Sequence, residues 1–304
     1  MEDRFYSTSI LECADLSALL SVATRRDLIS PERGVKSPST RAATGGVPGL
    51  TSLYSKTADC AVIMLPTLMF DQFRQRSLEL EHLDKGDYTA AEYEGCIVEL
   101  QRVNRWLGDA SALRDSLLAG IESLNLRNFS VLDVGAGSGE LLRVVAEWAR
   151  KSGRKTRLTG VELNARSAAA IGERATTFPE ITAVRGDAFK LPFVDKEFDF
   201  ALCSLFTHHF SNTEVVAILR ELSRVSTRGI FVIDLHRHPL AYYFYTTIGR
   251  LFLHNRLVRE DGALSIRRSF TPKEMFALAQ RAGLRNPRVE RHFPYRLVLS
   301  AQPQ

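Results

Sequence analysis

The stretch "VLDVGAGSGELL", Val131–Leu142, decides the fold of this 304-residue chain. An apolar run ends on Asp133, glycines stand at 135, 137 and 139, and "ELLRVVAEWARK" follows with apolar residues at helical spacing. Buried parallel strands read as unbroken apolar runs and amphipathic helices as a 3.6-residue stripe, so the pattern predicts strand, tight turn, helix. A turn that binds a dinucleotide spaces its glycines G-x-G-x-x-G, so that the backbone can approach a pyrophosphate and the helix can seat on the strand. Here the spacing is G-x-G-x-G, and Asp133 lies two residues ahead of the first glycine. A carboxylate there would repel a diphosphate but attract a ligand carrying an ammonium group.

Working outward, apolar and helical runs alternate: "TRLTGVEL", "SAAAIGERATTF", "ITAVRGDA", "FDFALCSL", "TEVVAILRELSRV", "GIFVIDLH" and "PKEMFALAQRAGL". Such alternation predicts an α/β fold, a Rossmann-like doubly wound sheet with helices on both faces. The last two runs, "PRVERHF" and "YRLVLSA", are too close together for a crossover helix, so they complete a seven-stranded sheet as an antiparallel C-terminal hairpin. Ligands of such sheets lie beyond the carboxyl ends of the strands. Glu162 ends the second strand, where its two oxygens can accept from both hydroxyls of a ribose, and Asp187 follows the third, where it can accept from an adenine amine. An adenosine compound with an ammonium, a sulfonium and no phosphate meets all three acids: S-adenosylmethionine.

Taken in order, "VLDVGAGSGELL", "GVELN", "GDAFKLPF", "FDFALCSLFTHHF" and "GIFVIDL" resemble the motif series of class I S-adenosylmethionine-dependent methyltransferases, from about Asn128 to the C-terminus. The helical run from Asp71 and "LHRHPLAYYFY" are also similar to small-molecule methyltransferases found beside bacterial type III polyketide synthases. The resemblance implies that Asp133, Gly135, Ala136 and Gly137 line the methionine end of the cofactor, Glu162 and Leu163 the ribose, and Asp187, Ala188 and Phe189 the adenine. It would bring Ser204 and Leu205, at the end of the fourth strand, to the cofactor's open face. Glutamate at 162 departs from the more common aspartate but keeps the acceptor chemistry.

The methyl group of this cofactor is already activated by positive sulfur, so the protein must align an acceptor and exclude water. A phenol with pKa ~10 reacts far better as phenolate, and a histidine with pKa ~6.5 can assist as base. His209, with His208 beside it, is the first candidate because both follow the fourth strand; Asp234, His236 and His238 leave the fifth strand at the same rim. A histidine pair that merely packs at a strand end is the competing reading. The segment "PLAYYFYTTIGRLFLHNRL", Pro239–Leu257, looks inserted and is expected to cover the acceptor pocket, with Phe206, His236, Tyr242, Tyr243 and Tyr245 touching an apolar or aromatic small molecule. A plain core-facing helix is the alternative.

Composition supports one large or two modest globular domains, since 45% of the residues are hydrophobic. The net charge is +5, and from Arg220 onward fifteen Lys and Arg face six Asp and Glu. That surplus could rest on anionic membrane, or simply be solvated. Nucleic acid is disfavoured, because the aromatic residues cluster in one apolar segment instead of interleaving with lysines. Four scattered cysteines, Cys13, Cys60, Cys96 and Cys203, indicate neither a zinc site nor a disulfide framework, so no metal and a reducing cytoplasm are expected. Residues 1–68, rich in Ser, Thr, Gly, Pro and Arg, are expected to be disordered or a mis-called extension ahead of Met64 or Met69. Residues 69–126 should form a helical cap built on "DQFRQRSLELEHLD", "TAAEYEGCIVELQRVNRWLG" capped by Thr89, and "SALRDSLLAGIESLN"; residues 127–304 form the main domain, with the insertion at about 236–270. Two other functions fit less well: a cofactor-binding protein of the same fold without catalysis, and a nicotinamide-dependent oxidoreductase, which the glycine spacing argues against. Oligomeric state leaves no signature in the sequence.

Overall fold

The first strand, β1 (Asn128–Val134), is buried from its second residue to its last, which only a central strand covered on both faces requires. A computed structural model describes residues 70–304; the expectation for residues 1–68 lies outside them. Around β1 run β2 (Lys155–Glu162), β3 (Ile181–Arg185), β4 (Phe198–Ser204), β5 (Ser226–Leu235), β6 (Arg285–His292) and β7 (Arg296–Gln302), in the order β3-β2-β1-β4-β5-β7-β6. The first five are parallel; β7 pairs antiparallel with both β5 and β6, which makes the expected hairpin. The order reverses between β1 and β4, so the crevice for a ligand opens there.

Each face of the sheet buries its own layer. On one, Leu132, Val134, Ala201 and Val232 meet α6 (Asn212–Val225) and α9 (Pro272–Ala282). On the other, Val131, Leu158, Leu202 and Ile233 meet α4 (Glu140–Lys151) and the helical segment formed by α2 (Asp109–Leu113), a π-helical turn (Arg114–Leu118) and α3 (Ala119–Ser123). Helix α5 (Ala165–Arg174) follows β2, its N-terminus capped by Asn164. Capping boxes at Thr89, Ser211 and Thr271 begin α1 (Ala90–Trp106), α6 and α9, each worth about 1 kcal/mol.

The first predicted cap helix is corrected. Helical residues 70–71 give way to an irregular path over 72–81, after which a single turn, His82–Lys85, is helical. Tertiary bonds claim the groups a helix would use: the Ser77 N–H donates to the Arg267 carbonyl, and the Arg76 guanidinium lies 3.9 Å from the Phe270 ring centre while donating to the carbonyls of His208, Phe210 and Arg268. The inserted segment forms α7 (Pro239–Thr247), a 3-10 turn (Gly249–Leu251) and α8 (Arg256–Arg268). Its buried side chains Leu253, Leu257 and Val258 meet Cys96 of α1, so the insertion packs on the cap and not on the sheet. Among the described residues no helix is long and apolar enough to cross a membrane.

Candidate active site

After β1 the chain turns through Gly135 and Gly137, both with left-handed φ, and the Gly135 N–H donates to the Val161 carbonyl at 2.9 Å, tying the turn to β2. A Cβ on Gly135 would stand 2.5 Å from the Phe206 ring, so the turn needs glycine both for its backbone and for what covers it. The Gly137 N–H donates to Glu162 Oε1 across the crevice. Beneath the turn Asp133 is 2% exposed, and its Oδ1 has no hydrogen-bond partner. Burial, with the nearby Glu162 carboxylate adding to it, pushes the Asp133 carboxyl up to about 7. Burial also pushes Glu162 up to about 7, against the bonds it accepts from the Gly137 and Leu163 N–H groups.

Val134, Gly135, Val161 and Glu162 border a cavity of about 350 Å³, within the ~300–1,000 Å³ usual for small-molecule sites, while Asp133 lies buried beneath the turn and off its lining. Gly135, Glu162, Leu163, Asp187, Ala188 and Phe189 all line it, and Asp187 Oδ1 accepts from the Phe189 N–H at 2.9 Å. Ala136 and Gly137 stand in the turn beside it; Ser204, which ends β4, and Leu205, the next residue, are not among the residues that line it. Leu205 holds a φ of 49°, a strained value for a branched residue, and so turns the next residue, Phe206, into the cavity. There Phe206 packs on Phe210, and Phe210 on Phe189, with ring centres 4.8 and 5.5 Å apart.

The two histidines have separate environments. His208 is buried; its Nδ1 lies 2.6 Å from Asp234 Oδ1, and Asp234 Oδ2 also accepts from its N–H and from the Thr207 hydroxyl. Burial would raise Asp234, but His208, Thr207 and a backbone N–H overcome it and hold the carboxyl at about 2. His208 therefore anchors the turn from beneath, as a packed strand-end histidine would. His209 instead lines the cavity, with its Nδ1 3.9 Å from Glu81 and 3.6 Å from Asp84, close enough for attraction but beyond hydrogen-bond distance. Burial disfavours its charged form, yet the two carboxylates outweigh that and raise its pKa above the ordinary value.

Glu81 and Asp84, together with Tyr88 and Tyr93, whose rings stack at 5.4 Å, are cap residues that sequence reading missed. The helical spacing through residues 71–84 predicts a continuous helix over the first two, whereas they lie around one isolated turn, and nothing local in the sequence marks them for the site. Arg268 fastens this corner: it donates to the carbonyls of His208, His209 and Glu79 and lies 3.3 Å from Asp84 and 3.8 Å from Glu81. Glu81, His208 and His209 bring potential metal-ligand atoms within 4.8 Å of one another, but Arg268 already supplies the cation beside that carboxylate and Asp234 occupies His208 Nδ1.

The residues of the fifth-strand rim and the insertion that were expected to touch the substrate lie outside this cavity. His236 is buried away from the cavity between His238 and Tyr295, and burial together with cationic neighbours lowers its pKa to about 4. The His238 side chain caps α7. Tyr243 packs on Phe73 and its hydroxyl accepts from Gln72. Tyr242 and Tyr245 line a different hollow, and the Tyr245 hydroxyl donates to the Val258 carbonyl. The reason is shared: α7 packs on the cap side, so the tyrosines follow it there. Of the proposed substrate residues, Phe206 lines the cavity.

A doubly wound sheet with a G-x-G-x-G turn, an unpartnered buried carboxylate beneath it and acids at the end of β2 and after β3 fits an adenosine cofactor that carries a cationic group. The orphaned Asp133 oxygen fits an ammonium, and Gly137, where an added Cβ would meet nothing within 4 Å, leaves room for close approach by a sugar or methionine backbone. Residues 131–229 match the family model described as a methyltransferase domain. The chain is 27% identical over 177 residues to a 2-phytyl-1,4-naphtoquinone methyltransferase of Thermosynechococcus vestitus, covering 54% of this chain and 75% of that one. It is 34% identical over 125 residues to a demethylmenaquinone methyltransferase of a Roseiflexus species, covering 38% of this chain and 48% of that one. Among solved structures, the plantazolicin methyltransferase BamL in complex with a triazolic desmethylPZN analog and SAH shares the fold at 17% identity, with a TM-score of 0.55 over 70% of this chain and 91% of that one. Residues 131–229 thus form an S-adenosylmethionine-dependent methyltransferase domain, on the class I fold and with S-adenosylmethionine as its cofactor.

Proposed function

We propose that the enzyme methylates an oxygen of an apolar aromatic small molecule of phenol, quinol or polyketide type, with His209 taking the proton. The observation that carries this reading is His209 itself: it stands on the cavity wall among Phe206, Phe210, Tyr88 and Tyr93 and faces two carboxylates. Both relatives are named for quinones, which supports an apolar aromatic acceptor. In this reading Asp133, Glu162 and Asp187 hold the cofactor, which supplies an activated methyl group when bound. The aromatic residues exclude water and flank the acceptor ring. His209 accepts the hydroxyl proton, and Glu81 and Asp84 stabilise the resulting imidazolium, while Arg268 holds the His209 carbonyl.

The test is incubation with methyl-labelled S-adenosylmethionine and a panel of phenols, hydroquinones and aromatic polyketides, followed by carbon NMR of the labelled product. Label is expected on oxygen, and His209→Gln should lower kcat by about 10²–10⁴-fold with S-adenosylhomocysteine affinity retained. Label on carbon alone, or near-wild-type turnover in the variant, would refute it.

A further inference from the structure

The cavity has a neighbour. Leu80 walls both it and a second hollow of about 400 Å³ between the cap, α7 and α8. Tyr242, Tyr245 and Thr246 form one side of this hollow, and Lys85, Arg250, Arg259 and Arg267 bring cationic side chains to it. Three acids, Glu79, Glu260 and Asp261, share this wall, and each already has a partner. Asp261 accepts from the N–H groups of His82 and Leu83 at 2.7 and 3.1 Å, and Glu260 lies 2.9 Å from His82 Nε2 and 3.5 Å from Arg256. Glu79 reaches Arg267 only at 3.7 Å, and Arg267 Nε is buried without a hydrogen-bond partner. Lys85, Arg250 and Arg259 have no side-chain ion pair among the described residues. Cations gathered around one concave surface repel one another, and a bound anion would relieve that repulsion.

We propose that this hollow is an anion site, taking a phosphate or carboxylate group on Arg250, Arg259 and Arg267 with Lys85 at its edge. Guanidinium forks match the geometry of both groups, and the tyrosines give an apolar wall for whatever carries the charge. That chemistry has two sources. One is the anionic end of an acceptor whose ring lies across Leu80 in the first cavity, and for this source alone the inference rests on the proposed function. The other is a lipid head group: α7 exposes Leu240, Phe244 and Ile248 at helical spacing, and the next turn exposes Leu251 (73%) and Phe252 (70%), an apolar ridge adjoining Arg250.

The test uses the full chain saturated with S-adenosylhomocysteine, comparing wild type with Arg250→Gln/Arg259→Gln, two side chains outside the core. Calorimetry with 1-hydroxy-2-naphthoate and with micelle-free dihexanoyl phosphatidate covers soluble anions, with 1-naphthol as the neutral control. Sedimentation with phosphatidylcholine vesicles, with and without phosphatidylglycerol, covers the lipid source. At least one anionic probe should bind and weaken by about tenfold or more in the double variant, with the neutral controls unmoved. Soluble binding assigns the acceptor's end, and binding of anionic vesicles alone assigns the lipid. No anion binding, or equal binding by the double variant, overturns the site. The S-adenosylhomocysteine heat recorded first tests cofactor binding separately: its retention beside a silent hollow leaves the proposed function standing.

Discussion

Substituting Asp133 by Asn separates what its carboxylate costs the fold from what it contributes to the cofactor. With a carboxyl pushed to about 7 from an unfolded value near 3.8, the folded state binds a proton more tightly than the unfolded chain. The sign follows: a raised acid subtracts stability as pH climbs from the unfolded pKa to the folded one, after which the loss is constant. Linkage puts that loss at about 1–2 kcal/mol at pH 5 and about 4 kcal/mol at pH 8 for a shift of this size, so the pH-dependent part is about 2–3 kcal/mol. Asn removes the ionisation while keeping the shape. Urea unfolding of ligand-free protein should therefore show the variant gaining about 2–3 kcal/mol relative to wild type between pH 5 and pH 8, whatever offset the new amide introduces at both pH values. Calorimetry should show the opposite for function: S-adenosylmethionine loses a charge-assisted bond to its ammonium, worth about 1.5–3 kcal/mol, or roughly 10- to 150-fold in Kd. A variant whose stability tracks wild type across this pH range, or whose cofactor affinity is unchanged, would refute the reasoning.

Gly135→Ala should be poorly tolerated, because its Cβ would lie 2.5 Å from the Phe206 ring at a φ of 72°. We expect a loss of about 1–3 kcal/mol in thermal or urea unfolding, with weaker S-adenosylhomocysteine binding. Arg268→Met leaves Glu81 and Asp84 without their cation and the His209 carbonyl without its donor. Such breaks in buried ion pairs cost about 3–5 kcal/mol, and Arg268→Lys should recover part of that in the same unfolding assay. The raised pKa of His209 predicts that kcat/KM climbs as pH rises through a value above 6.5, where the imidazole loses its proton and can act as base. That limb should shift downward in Asp84→Asn and vanish in His209→Gln; a profile that is flat from pH 6 to 9 in wild type would contradict the assignment.

The sheet, the cofactor turn and the three acids around it were legible in the sequence because each is a local signal. Unbroken apolar runs mark buried parallel strands, and the spacing of Gly135, Gly137 and Gly139 after Asp133 marks the turn. Asp187 and Glu162 follow their strands in sequence, so strand order alone delivers them to the crevice. The acceptor side had no such signal. Glu81 and Asp84 come from an irregular segment more than a hundred residues before His209, and their meeting depends on how that segment packs against α8. Adjacent histidines likewise parted only in three dimensions: Asp234 draws His208 under the turn while His209 faces the cavity. The tyrosines of α7 went to a second hollow because Leu253, Leu257 and Val258 bind the insertion to Cys96 of the cap. Short-range spacing encodes the backbone of the cofactor site, whereas the environment of each acceptor-side group is set by long-range burial and charge that no local pattern records.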